Sequence, residues 1–220
     1  MHRPLDLAKE AVHKYHAIQK PPELAGFLAL VMELEPLKTV VEIGAFAGGT
    51  MWAWGQLGAR VIGVDMPPPG FPDGPQVNDM GMTVICGDSH TEATRDALLE
   101  ALNGDLIDML FIDGDHTYEG VKADYELYAP LVREGGIIGF HDIRAHYRQP
   151  YIEVKRFWDS LDGEREEIVC PGEDWGGIGV LYAADPEWVK AKRAELLKRY
   201  LRAQAGAYYN PGTSFQKVNA

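Results

Sequence analysis

The sequence has little of what several protein classes require. Of its 220 residues only two are cysteines, Cys86 and Cys170. They are too few and too far apart for a disulfide framework or a zinc cluster, which excludes small stapled folds and zinc ribbons. Both lie in or beside apolar runs and read as buried free thiols. Basic charge is scarce as well: 21 Lys and Arg stand against 33 Asp and Glu, a formal net charge of −12. That balance excludes nucleic-acid binding as the main activity, because phosphate contacts draw on clustered Lys and Arg. No apolar run approaches the ~20 residues that span a bilayer. The first residues, MHRPLDLAKE, have no apolar core and do not read as a secretory signal. The expectation is a cytoplasmic protein with neither a membrane nor a nucleic-acid partner. The G-x-G-x-x-G fingerprint of dinucleotide binding is also missing.

What is present suits a soluble α/β protein. Hydrophobic residues make up 46% and charged residues 25% of the chain, ordinary values for a globular domain. Leu5, Ala8, Val12 and Tyr15 are spaced for an amphipathic helix from Leu5 to Ile18. Pro21-Pro22 interrupts it, and a more apolar helix is expected from Glu23 to Leu34. Short buried strands are expected at Thr39 to Ile43, Arg60 to Asp65, Thr83 to Cys86, Asp108 to Ile112 and Ile137 to Phe140. Their apolar residues sit side by side, as in parallel strands covered on both faces. Helices between them are expected at Met51 to Leu57, Thr91 to Leu102 and Thr117 to about Val132. A helix at Tyr151 to Leu161 follows, then strands Glu167 to Cys170 and Ile178 to Tyr182. These last two are too close to hold a crossover helix, so they should pair antiparallel. A charged helix from Pro186 to about Gln204 and a polar tail end the chain.

The alternation implies a doubly wound, mainly parallel, seven-stranded sheet with a C-terminal antiparallel hairpin. One domain is expected over 1–220, with N-terminal helices in 1–37, the core in 38–183, and the last helix and tail in 184–220. Met66 to Gly81, with five prolines and three glycines, reads as a loop over the site, with at most a helical turn near Val77 to Met80.

In open α/β sheets ligands bind beyond the carboxyl ends of the strands, and four of those ends carry marked residues. The first reads Glu42-Ile-Gly44-Ala45-Phe46-Ala-Gly48, a small-residue turn that lets a ligand approach the backbone. The second is Asp65, placed to accept hydrogen bonds from a ribose diol, or simply a solvated loop acid. The third is Asp88-Ser89, where an adenine edge can meet a carboxylate and a backbone N–H. The fourth is Asp113-Gly-Asp115-His116, two carboxylates and an imidazole in four residues, with His141-Asp142 one strand further on. An acid inside the first strand would repel a pyrophosphate and suits a cationic ligand better.

The run VVEIGAFAGGT, GVD, CGDSH, DMLFIDGDHTYEGVKAD and GGIIGFHDI, about Val40 to Tyr182, resembles class I S-adenosylmethionine (SAM)-dependent methyltransferases. Within them it is similar to the group of macrocin and mycinamicin O-methyltransferases and cephalosporin hydroxylase-like proteins; catechol and caffeoyl-CoA O-methyltransferases are more distant. The resemblance implies a Rossmann-like domain that binds SAM. Glu42, Gly44 and Gly48 match the SAM-binding turn, with Ala45 and Phe46 inside it and Glu42 near the methionine end. Asp65 matches the ribose acid, and Asp88 and Ser89 the adenine contact. Asp113 matches a metal ligand that also borders the cofactor, and His141 and Asp142 match the ligand pair after the fifth strand. Relatives carry two acids, or an acid and Asn, at that pair. His141 therefore departs from the pattern, either tilting the site from Mg²⁺ toward a transition metal such as Mn²⁺, Fe²⁺ or Zn²⁺, or shaping the pocket by hydrogen bonding alone. His116 matches the general base, a task its ordinary pKa near ~6.5 suits, and Asp115 is left as the helix cap.

The function expected is O-methylation of a small hydroxylated molecule, a sugar, catechol or other diol, with a divalent metal chelating the acceptor. The alternative is a SAM- or nucleotide-binding regulatory or assembly protein that transfers no methyl group. His90, Tyr118, His146, Tyr147 and Trp175 are candidates for the acceptor pocket. The cations of the Pro186 to Gln204 helix read as a solvated face or as a homo-oligomer contact.

Overall fold

A computed structural model of the chain describes residues 3–34, 36–66, 81–144, 148–184 and 186–207. The turn expected near Val77 to Met80, and His146 and Tyr147, lie outside these residues.

Seven strands form one sheet in the order β3-β2-β1-β4-β5-β7-β6. They are β1 (Thr39–Ile43), β2 (Arg60–Asp65), β3 (Thr83–Cys86), β4 (Ile107–Ile112), β5 (Val132–His141), β6 (Arg165–Ile168) and β7 (Ile178–Tyr182). The first five run parallel; β7 pairs antiparallel with β5 and β6. The helices are α1 (Pro4–Tyr15), α2 (Pro21–Glu33), α3 (Gly49–Gly55), α4 (Glu92–Leu102), α5 (Tyr118–Tyr128), α6 (Val154–Ser160) and α7 (Glu187–Ala207).

Alternate residues of the central strands feed two cores. Val41, Ile43, Leu110 and Ile112 pack under α4, α5 and α6, while Val40, Met109 and Phe111 pack under α1, α2 and α3. On the second face Phe27, Trp54 and Phe111 form a ring cluster with centroids 5.5–5.6 Å apart. Such pairs each add about 0.5–1.5 kcal/mol beyond area burial.

The differences from expectation have local causes. α5 stops at Tyr128 and a 3-10 turn, Ala129–Leu131, replaces the expected last turn, because Pro130 has no N–H to continue an α-helix. β5 starts at Val132, ahead of Gly135-Gly136, and a register shift between Ile107 and Met109 accommodates that glycine pair. The cysteines correct the sequence reading: both are free, but Cys86 is exposed and Cys170 only half-buried. β3 is an edge strand with both ends exposed, so an apolar run there does not imply burial.

β1 and β4 are neighbours whose following helices lie on opposite faces, so the sheet parts at their carboxyl ends. There Gly44 donates its N–H to Val64 O at 2.9 Å and Asp113 to Ile43 O at 2.8 Å. A Cβ on Gly44 would stand 2.0 Å from Asp113 O, and the residue has φ +89°, so only glycine fits this crossing. Gly49, at the start of α3, is packed as closely by the α1–α2 connection: its Cβ would meet Ala17 N at 2.3 Å.

Candidate functional site

The strand ends open into one cleft of about 990 Å³. Gly44, Ala45, Phe46, Asp65, Asp88 and Ser89 line one part of it, and Asp113, His116, His141 and Asp142 another. Glu42 and Gly48 are not in its wall. Glu42 points to the α3 face of the sheet, where its carboxyl meets the Thr50 hydroxyl and accepts the Trp54 indole N–H at 2.6 Å. Burial first, then the charges of Asp113 and Asp65, push its pKa up to about 8 despite those bonds. Glu42 is therefore a protonated, core-facing acid at neutral pH.

The turn after β1 and the end of β2 are tied together. Phe46, in the left-handed region at φ 44°, donates its N–H to Asp65 Oδ2 at 2.5 Å. Burial raises the Asp65 pKa, and this bond works against the rise. The Asp88–His90 turn is braced from α5: Tyr128 Oη donates to Ser89 O at 2.5 Å, and His90 Nε2 lies 3.3 Å from Asp124 Oδ1. Asp124 is wholly buried, which lifts its pKa to about 6.

The acidic half of the cleft is a cluster of two carboxylates and two imidazoles. Asp113, His141 and Asp142 each offer a ligand atom, all within 4.8 Å of one another. His116 Nε2 is 3.3 Å from both Asp113 Oδ1 and Asp142 Oδ2. His141 Nδ1 is 3.2 Å from Asp113 Oδ1 and 3.5 Å from Asp142 Oδ1, while its Nε2 faces Glu23 Oε1 at 3.1 Å. Burial would raise the Asp113 pKa, but the charge of His141 and the bond from His116 outweigh it and hold the carboxyl low. Hydrogen bonds to Asp113 and Asp142 lift His116 to about 10. Burial works against protonation of His141, yet Asp113, Glu23 and Asp142 carry it well above its ordinary value. Asp142 itself is left-handed at φ 61°, a backbone state Asp tolerates better than most residues.

Two neighbours of this cluster, Gln19 and Glu23, are invisible in strand patterning, whereas Trp175 is among the pocket candidates of the sequence. Gln19, from the α1–α2 connection, donates Nε2–H to Asp113 Oδ2 at 2.5 Å. Glu23, from the first turn of α2, holds His141. Trp175 lines the cleft from the 171–177 loop, with Lys20 Nζ 3.7 Å above its ring and bonded to its carbonyl at 2.5 Å. The only sequence signals are an acid and an amide flanking Pro21-Pro22, where helix capping is the ordinary reading. Of the other pocket candidates His90 lines the cleft and Tyr118 does not; it packs on Phe157. Thr117, not Asp115, is the α5 cap, accepting from Gly120 N–H at 3.0 Å; Asp115 accepts the Thr117 N–H at 2.9 Å and stiffens the turn before it.

Strand order, crossovers and a cleft over β1 and β4 define the Rossmann-like fold of SAM-dependent methyltransferases. Residues 41–143 match the family described as a methyltransferase domain. An uncharacterized protein of Acanthamoeba polyphaga mimivirus is 36% identical over 138 residues, 57% of this chain and 60% of that protein's length. The O-methyltransferase TomG of Streptomyces achromogenes, solved with SAM, superposes with a TM-score of 0.57 at 16% identity, covering 84% of this chain and 91% of that one. MycE methyltransferase of the mycinamycin biosynthetic pathway, solved with Mg and S-adenosylhomocysteine, superposes with a TM-score of 0.55 at 14% identity, covering 85% of this chain and 58% of that one. At these identities the structural likenesses establish the fold. No helix among the described residues is long and apolar enough to cross a membrane.

Proposed function

We propose that this protein is a SAM-dependent O-methyltransferase acting on a hydroxyl of a small molecule, with a divalent cation held by Asp113, His141 and Asp142. The observation that carries this reading is the placing of that ligand-type cluster in the same cleft as the Gly44–Phe46 turn and Asp65. The donor set fits a cation: two carboxylates and one imidazole converge within 4.8 Å, and the far nitrogen of that imidazole is tied to a buried carboxylate. When bound, the cation would act as a Lewis acid on two acceptor oxygens and lower the pKa of the reacting hydroxyl.

The chain's own residues do the rest. Asp65, oriented by the Phe46 N–H, takes the ribose diol of SAM, and the Asp88–Ser89 turn takes the adenine edge. His116 removes the acceptor proton. The acceptor oxygen then bonds the SAM methyl carbon as the carbon–sulfur bond breaks, releasing S-adenosylhomocysteine. Holding these atoms in line can supply ~7–11 kcal/mol of the barrier. His116 has one requirement. Paired with Asp113 and Asp142 it carries a proton at neutral pH, so it serves as base only when those carboxylates turn their charge to a cation.

The acceptor meets a wall that includes Gln19, Tyr151 and Trp175. Gln19 Oε1 is buried and has no hydrogen-bond partner among the described residues. Sugars, catechols and other diols carry the paired oxygens that a cation in this cleft would chelate. The test is methyl transfer from labelled SAM to a panel of such diols, with and without chelator. Product that is lost in chelator and restored by Mg²⁺ or Mn²⁺ supports the reading. Full turnover in chelator removes the cation from it, and SAM binding without product from any diol favours a regulatory protein.

A further inference from the structure

Glu23 is a charged residue that the reaction above does not use. It sits in the first turn of α2 and its side chain has no exposed surface. Both oxygens are engaged. Oε1 accepts the Lys20 N–H at 2.9 Å and faces His141 Nε2 at 3.1 Å, and Oε2 accepts the Gly177 N–H at 2.8 Å. A carboxylate only accepts, so the hydrogen between Glu23 and His141 is on Nε2. The ring, 3% exposed, turns Nδ1 to Asp113 and Asp142, so without a cation both nitrogens carry a hydrogen, and a bound cation would take the place of the one on Nδ1.

We infer that Glu23 is the positioning residue of the metal site, fixing His141 through Nε2 so that Nδ1 is the atom offered to a first-row transition-metal cation. The inference rests on the cation reading above. A carboxylate behind a ligating imidazole fixes its tautomer and raises its basicity, and losing such a partner costs about 10–100-fold in metal affinity. An imidazole nitrogen between two carboxylates favours Mn²⁺, Fe²⁺ or Zn²⁺ over Mg²⁺, which prefers oxygen donors. The same carboxylate anchors Gly177, so the 171–177 loop that carries Trp175 is pinned to the residue that sets the ligand.

Glu23→Gln separates this role from packing. It keeps the volume but leaves one oxygen for three donors: Lys20 N–H, Gly177 N–H and His141 Nε2–H. An amide N–H turned toward His141 makes Nε2 the acceptor and moves the ring hydrogen to Nδ1, the ligand atom. The experiment titrates Mn²⁺ alone into the full chain. Electron paramagnetic resonance gives the affinity, and its pulsed form gives the nitrogen modulation of a coordinated imidazole; circular dichroism and SAM calorimetry serve as fold controls. The wild type is expected to bind Mn²⁺ with nitrogen modulation. Glu23→Gln is expected to bind it about 10–100-fold more weakly and to lose the modulation. If Glu23→Gln does not fold, Glu23→Asp, which keeps the charge but withdraws it by one methylene, is read the same way. A folded variant with unchanged affinity and modulation overturns the inference, as does a wild type that binds Mn²⁺ without modulation. A wild type that binds SAM but no Mn²⁺ overturns the cation reading beneath it, and the inference with it.

Discussion

Gln19 reaches from the α1–α2 connection into the cleft and bonds Asp113 Oδ2 at 2.5 Å. The N-terminal helices thus contribute a donor to the acid that ends β4. Gln19→Glu replaces this donor with a second carboxylate on the first, and two such groups cannot both ionise cheaply. The variant should lose stability relative to wild type as pH rises from about 5 to 8, where the extra carboxyl would otherwise ionise. Melting curves across that range check it; a gap that does not grow with pH would show that the two side chains do not meet.

His116 should titrate in two different ranges. With chelator present, its pairing with Asp113 and Asp142 holds it at about 10, and an added divalent cation should bring it down toward its ordinary value. Histidine-resolved NMR with a diamagnetic ion such as Mg²⁺ or Zn²⁺ measures this. The sign for stability follows. A pKa raised from 6.5 to about 10 gives stability that is complete below 6.5 and is lost as pH rises toward 10. Chelated protein should therefore melt lower at pH 10 than at pH 7, and His116→Asn should flatten that slope.

Glu42 is expected to behave as a neutral core residue. Its pKa, raised from 4.5 to about 8, means that folding grows less favourable as pH climbs through that interval, because only the unfolded chain releases the proton there. Glu42→Gln keeps an acceptor for Trp54 and a donor for Thr50. It should fold normally, melt at least as high as wild type at pH 8, and show a weaker pH dependence between the two values. A collapse of SAM affinity with the fold intact would mean that the carboxyl serves the ligand after all.

Lys20 clamps the 171–177 loop by its bond to the Trp175 carbonyl, its place over the indole ring and an approach to Glu173 at 3.6 Å. A desolvated cation–π pair and a hydrogen bond each contribute on the order of 1–2 kcal/mol. Lys20→Met should raise hydrogen exchange in residues 173–177 by about tenfold or more, on the scale of 1.4 kcal/mol per decade, without changing exchange in β1 or β4. Unchanged exchange in the loop would show that Glu23, through Gly177, holds it alone.

The sheet was legible because each central strand is a short, mostly apolar run rich in β-branched residues, bounded by turn residues and followed by a helical pattern. Parallel strands then bring their carboxyl ends together, which is why Asp65, Asp88, Asp113, His116, His141 and Asp142 could be assigned to one cleft without coordinates. Glu42 shows the limit of that logic. A residue inside a strand points to one face or the other, and pairing register, not motif position, puts it under α3 with Trp54. Gln19 and Glu23 were not legible at all. They belong to elements whose docking over the cleft depends on how the α1–α2 connection packs on Gly49 and how Phe27 of α2 packs on Trp54 and Phe111, and no local pattern encodes that. The edge position of Cys86 escaped for the same reason: an apolar tetrapeptide does not state which strand lies beside it.

SAM binding comes before every step of the proposed reaction. Isothermal calorimetry of the wild-type chain against SAM, with Asp65→Ala alongside, tests it most directly. One site per chain is expected, weakened at least tenfold by Asp65→Ala, about the 1.5–3 kcal/mol of hydrogen bonds to a charged group. No heat from the wild type at millimolar SAM, or equal binding by the variant, would contradict it.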